Sequence, residues 1–198
     1  MLKRLFSFDT PGHRALTCGL VLMALALAWA SLNAHAVEYK SIVAPQSEIT
    51  FVYQQMGVKM DGRFKSFQAH LNLDPAHLAQ AKVNLEIALA SFETGTEADQ
   101  EVTGKAWFHT AAFPHATFTA RQIKAISPQQ WEVSGSVSIK GKSVEVKFPL
   151  QYTAQGKTGV FKGQLTLRRA DFNIGEGSWS KFDIVANDVQ IRFQLTAQ

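Results

Sequence analysis

From about residue 48 onward, apolar and polar side chains alternate one for one in run after run. Ile49, Phe51 and Tyr53 alternate with Thr50, Val52 and Gln54, and Phe67, Ala69, Leu71 and Leu73 with Gln68, His70 and Asn72. Val83, Leu85, Ile87 and Leu89 follow the same rule. The second half repeats it from Trp131 to Ile139, from Val144 to Tyr152, from Phe161 to Leu167 and from Val189 to Leu195. A period of two puts one face of each run in an apolar interior and the other in water, so the pattern predicts strands with one dry face.

The connections between runs are short. Gly57 and Gly62 bracket the first hairpin region, and Lys140-Gly141-Lys142 and Gln155-Gly156-Lys157 are tight-turn sequences. Two places read as helical. Asp74-Pro75 suits the start of a single turn through Ala79. Thr96-Glu97-Ala98-Asp99 resembles a capping box with Asp in the Glu position, opening a short helix toward Thr103. Pro149 lies on the polar side of a strand pattern, which predicts an edge or a bulge.

One stretch breaks the rhythm. Trp107 to Phe118 holds four aromatic residues around Phe113-Pro114, and proline keeps the residue before it out of the helical region. Its aromatics therefore form no single helical stripe, and read as an apolar plug against the mouth or wall of a β structure. Antiparallel strands at this spacing leave two architectures open, a closed barrel and a two-sheet sandwich.

The chain has 198 residues. The first 36 follow a different logic: Lys3, Arg4 and Arg14, an apolar run from Ala15 to Ala30, then Ala34-His35-Ala36. That is the pattern of a cleavable secretory signal peptide, which leaves residues 37–198 as one domain. The single cysteine, Cys18, lies in the leader, so the mature domain has no disulfide and must rely on its core. This combination predicts a periplasmic protein. The formal charge of +4 is partly the leader's, and the remaining Lys and Arg residues form no basic stripe, which argues against nucleic acid.

Chemistry-bearing constellations are sparse. Ser47, Ser91 and Ser178 lack a nucleophile-elbow context, and no phosphate loop or dinucleotide fingerprint occurs. His109 and His115 stand six apart around Pro114, with no third or fourth ligand to make a metal site. Arg169 falls on an inward position; a buried Arg needs a partner, and Asp171 or another carboxylate is the natural one. In a functional role it would help fix a polar head. No enzyme is expected.

The residues resemble the YceI-like family of exported, lipocalin-like bacterial proteins. The likeness runs through Tyr39-Lys40, Ser47-Glu48-Ile49-Thr50-Phe51, Gly62-Arg63-Phe64, Ser91-Phe92-Glu93-Thr94-Gly95, Trp107-Phe108, Gly135 to Gly141 and Arg169 to Gly175. Gln46 and His109 depart from the commonest pattern. Trp107 and Gly175 to Trp179 are similar to a branch sometimes linked to membrane cytochrome b domains.

The resemblance implies an all-β fold: an extended antiparallel lipocalin-like β-barrel with one or two short helices, holding an apolar tunnel for a polyisoprenoid chain, an isoprenoid quinone or a fatty amide. The walls expected to meet that ligand are Phe51, Tyr53, Phe67, Leu89, Phe108 and Phe118, with Ile139, Phe148, Leu167, Arg169 and Phe193. Ordinary core packing of the same residues is the competing reading. The functional expectation is a periplasmic carrier that requires no cofactor, its cargo an isoprenoid lipid or quinone. The alternative is a redox accessory protein presenting a quinone to a membrane cytochrome b. The sequence leaves a homodimer open.

Overall fold

The computed structural model describes residues 37–198; the expected signal peptide lies outside them. Ten strands form the fold: β1 (Glu48–Gln55), β2 (Val58–Phe64), β3 (Phe67–Asn72), β4 (Lys82–Ala88), β5 (Phe92–Glu93), β6 (His115–Ser127), β7 (Gln130–Ile139), β8 (Lys142–Gln155), β9 (Thr158–Arg168) and β10 (Asp188–Ala197). They make one antiparallel sheet in the order β3-β4-β6-β7-β8-β9-β10-β1-β2-β5. The sheet curls into a barrel-like wall, its apolar faces inward. Among the described residues the one α-helix is α1 (Ala98–Glu101). Short 3-10 turns occur elsewhere, including Leu78–Gln80 after Asp74-Pro75.

The hairpins close as the turn sequences require. Lys140 and Gly141 both have positive φ (49° and 74°), as do Met56 and Gly57 (52° and 80°). Such two-residue turns match the twist of the flanking strands. Gly62, however, belongs to no turn. It sits inside β2 opposite Phe51 of β1, and the Phe51 ring occupies the space a Cβ would need. Glycine is there for close packing, which an alternation pattern cannot distinguish from a turn signal.

Pro149 lies within β8, an interior strand, yet at a local edge. Tyr152 N–H points toward β7, donating to Gln129 O at 2.9 Å. Strand alternation therefore aims the Pro149 nitrogen toward β9, where pairing has already ended at Leu150–Gly163. Beyond that point β8 and β9 separate. Phe172 and Ile174 are buried there, in a cluster against which Val144, Val146, Leu165 and Leu167 pack.

The sheet has two terminal strands, β3 and β5. The β3 edge is covered by the segment preceding β1. Tyr39 exchanges backbone bonds with Leu73 at 2.9 and 3.1 Å, while Lys40 N donates to Gln198 O at 2.8 Å and Val43 N to Thr196 O at 2.7 Å. This strap ties β3 to β10 and leaves that end of the edge unable to template another chain.

An apolar cavity between two aromatic ends

The inward faces do not meet. They enclose a cavity of about 920 Å³ to whose wall all ten strands contribute. Protein interiors normally hold few voids larger than a water molecule. This volume instead falls near the top of the ~300–1,000 Å³ range of small-molecule sites.

Each end is built differently. At one, Tyr39 is fully buried, and its ring meets Phe161 edge-on with centroids 5.5 Å apart. Trp131 stacks on Tyr152 at 4.6 Å, and Tyr152 on Phe161 at 5.3 Å. The Tyr39 and Tyr152 hydroxyls bond each other at 2.9 Å, and of this aromatic cluster Phe161 reaches the cavity wall. Burial and that bond push the Tyr39 hydroxyl far above its usual pKa.

The other end is covered by the segments around α1 and between β9 and β10. Asp99 of α1 accepts from Thr94 N and Thr94 Oγ1, both at 2.7 Å, and from Gly95 N at 3.1 Å. These bonds hold the carboxyl below the ordinary aspartate range, the Thr94 hydroxyl contributing most. The expected capping box is not formed: the helix starts after Glu97 with no side-chain cap, the Asp99 carboxyl bonds Thr94 and Gly95 instead of Thr96, and Thr96 Oγ1 accepts from Ala98 N at 3.3 Å. Trp107 and Trp179 pack with ring centroids 5.4 Å apart, and Phe92 meets Phe108 edge-on.

Arg169 organises this cover. It is 4% exposed. Its Nε donates to Ala186 O at 3.1 Å and its Nη1 to Ile174 O and Gly175 O at 2.8 and 3.2 Å. Nη2 donates to Trp179 O, Lys181 O and Val185 O at 2.7, 2.9 and 2.9 Å. The expected carboxylate partner is absent from this set: Asp171 pairs with Arg168 at 3.0 Å, on the exposed side. Alternation placed Arg169 inward correctly, but no spacing rule reveals that a loop folds back to offer carbonyls. Desolvation lowers the Arg169 pKa, and the six carbonyl dipoles stabilise the charge. With every guanidinium donor engaged by backbone, Arg169 has none left for a ligand head.

Phe51, Tyr53, Leu89, Phe108, Phe118 and Ile139 line the cavity, as do Phe148, Leu167, Arg169 and Phe193. Phe67 does not. It has the inward parity of Ala69 and Leu71 and opens β3 opposite Ile87, which does line the cavity, yet its own side chain does not reach it. Trp107, from the aromatic stretch expected against the wall, and Val102 also line the cavity, both from non-repeating segments. The aromatic run at Trp107 was the available signal. His115 opens β6 beside Glu86, with Nε2 3.7 Å from its carboxylate, and His109 lies in the turn before β6. Among the described residues no group of three or more His, Cys, Asp or Glu side chains could hold a metal ion.

Trp107 Nε1 in this wall has no hydrogen-bond partner, and the Tyr53 hydroxyl has none beyond the hydroxyl of Thr94. Burial raises the Tyr53 pKa, the Asp99 charge adding to it and the nearby Thr94 hydroxyl opposing it.

The chain is similar to proteins across many bacteria. A UPF0312 protein of Photorhabdus laumondii is 30% identical over 163 residues, covering 78% of this chain and 84% of that protein. Protein YceI of Escherichia coli O6:H1 is 29% identical, covering 76% and 85%. Among solved structures, BcnA of Burkholderia cenocepacia superposes with a TM-score of 0.76 at 37% identity, covering 79% of this chain and 99% of that one. A polyisoprenoid-binding domain from Saccharophagus degradans shares the fold, with a TM-score of 0.66 at 18% identity, covering 83% and 99%. The model of the YceI-like domain matches residues 41–197, almost the whole described chain, and with the curled antiparallel wall around an apolar cavity this makes the protein a member of the YceI-like family.

Proposed function

We propose that this protein is a lipid-binding carrier that encloses an isoprenoid chain, as a polyprenyl lipid or an isoprenoid quinone, and works by enclosure without covalent chemistry. The observation that carries this reading is the cavity of about 920 Å³ with a predominantly apolar wall. Burying a long hydrocarbon there gains about 25 cal/mol for each Å² removed from water, and needs few directional contacts. The fold shared with a polyisoprenoid-binding domain supports the same ligand class. The carrier works in the periplasm, after removal of a leader spanning residues 1–36.

Exchange with a membrane, or with a protein held in one, is favoured by an exposed apolar patch. Met56 (76% exposed) and Val58 (61%) lie on the β1–β2 hairpin, and Phe182 (48%) and Ile184 (41%) on the segment between β9 and β10. The two segments are joined by Met56 N donating to Ile184 O at 2.7 Å. Contiguous exposed apolar side chains mark contact sites, and here Gln55 and Val185 of the same segments also line the cavity.

Native mass spectrometry of the mature protein from its own periplasm, followed by solvent extraction, tests the reading. A stoichiometric isoprenoid lipid is expected. Protein that arrives empty and refuses added quinone and polyprenyl lipid would refute it.

A further inference from the structure

We propose that residues 95–101, which carry α1, are the gate of the cavity. The ligand enters and leaves beneath them, and the Asp99 bonds to Thr94 and Gly95 hold them shut. The proposal rests on the reading of the cavity as a lipid site.

A ligand passes where the wall reaches water. Four residues of the cavity wall are exposed: Glu97, Gln100, Glu101 and Thr117. Thr117 lies in β6 between the inward Ala116 and Phe118, so alternation turns its side chain away from the cavity. The other three belong to α1 and the residue that starts it. Each of them meets the cavity and water together. Neither Glu97 nor Glu101 has an ion-pair partner among the described residues. An unpaired carboxylate is costly to bury, which keeps this part of the wall at a hydrated mouth.

The two halves of the cover at this end are fastened differently. Residues 172–187 are tied into the barrel. Arg169 gathers carbonyls from Ile174 to Ala186, and Met56 N donates to Ile184 O. Lys140 Nζ adds bonds to Lys105 O, Asn173 O and Glu176 at 2.8, 2.8 and 2.6 Å. Residues 95–103 lack such ties. Among the described residues, their hydrogen bonds all end within residues 94–110. α1 buries none of its own residues, and Val102, directly after it, is the first to enter the core. A segment with only local bonds and few buried contacts opens well before the fold as a whole, and lids are drawn from such segments. What folds it down is the Asp99 carboxyl, whose three bonds join α1 to the residues directly after β5.

Stopped-flow uptake and release of the apolar fluorophore N-phenyl-1-naphthylamine by the mature protein tests the gate. Loosening a gate speeds both directions alike and leaves their ratio, the affinity, where it was. Asp99→Ala should speed uptake and release about fivefold each, the worth of one net hydrogen bond. Thr94→Val, which removes one hydroxyl from the same bonds, should also speed both equally. Lys140→Met loosens the other half of the cover and should leave both rates unchanged. Unchanged rates in both clasp variants, with the fluorophore still bound, would overturn the gate and leave the lipid cavity standing. So would faster release without faster uptake, which would make α1 part of the binding wall. Equal acceleration in Lys140→Met would overturn it as well, because the whole cover would then open. If the fluorophore does not bind the wild type, the cavity reading falls and the gate with it. Thr94→Val decides the question alone if Asp99→Ala does not fold.

Discussion

The Arg169 guanidinium lies over the Trp107 indole, 5.7 Å from its centroid, and over the Phe182 ring at 5.0 Å. One side chain thus joins the end of β9, the segment before β6 and the loop between β9 and β10. The cation–π contacts act on its faces and the backbone carbonyls on its edge. A lysine has neither the planar fork nor enough donors to reproduce this. Arg169→Lys is expected to destabilise the fold by about 3 kcal/mol, because several buried carbonyls lose their donor. Urea unfolding measures the loss, and hydrogen exchange should locate the loosening in residues 174–186. An unchanged midpoint would mean those carbonyls find other partners.

Gly62 and Phe51 make a second close contact. Gly62→Ala places a methyl group where the Phe51 ring stands, and should cost about 1–3 kcal/mol as an overpacking change. Pairing it with Phe51→Leu should recover part of the loss in a double-mutant cycle. Simple additivity of the two would show that the ring has room to move.

The Tyr39–Tyr152 contact makes stability depend on alkaline pH. The Tyr39 pKa is raised in the folded state, chiefly by burial and then by its bond to Tyr152. Below the unfolded value of about 10 both states keep the proton and stability is complete. Above it the unfolded chain releases the proton while the folded protein retains it, so stability falls as pH rises. Urea midpoints between pH 8 and 11 should decline, and Tyr39→Phe should flatten the decline. An equally steep decline in the variant would place the titration elsewhere.

Asp99 acts at the opposite extreme. Its pKa is lowered by the Thr94 and Gly95 bonds, so its contribution is present above the unfolded value of about 3.9 and lost as pH falls through the folded one. Amide exchange at Thr94 and Gly95 should quicken on going from pH 5 to pH 3 relative to residues in β7, beyond the general pH dependence of exchange. Asp99→Asn should remove that difference.

Two substitutions separate cavity from core. Ala69→Trp projects a large ring from β3 into the cavity, and should abolish lipid binding while leaving the unfolding midpoint equal or higher. A packed interior would instead be destabilised by such overfilling. Tyr53→Phe should change the stability of the unliganded protein by no more than about 1 kcal/mol, since its hydroxyl has no partner beyond that of Thr94. A larger loss would show that the interior is packed around that hydroxyl.

Much of the architecture was legible in the chain alone. A side-chain period of two follows from strand geometry, so Ile49, Phe51 and Tyr53, or Val133, Gly135 and Val137, declare their inward face without reference to any partner. The turns at Lys140-Gly141 and Gly156-Lys157 are equally local, set by positive φ at Lys140, Gly141 and Gly156. What alternation could not decide was whether the inward faces touch. Barrel, sandwich, packed core and hollow cavity share the same pattern, because burial against a side chain and burial against a ligand select the same apolar residues. Curvature and closure settled that, through the strap at Tyr39 to Val43 and the early end of the β8–β9 ladder at Leu150. The same limit covers Phe67, whose parity was inward but whose side chain does not reach the cavity that its partner Ile87 lines. It also explains Arg169, whose partners are carbonyls as far along the chain as Ala186. Backbone carbonyls exist at every residue, so only the tertiary path of the loop determines which of them meet a buried charge.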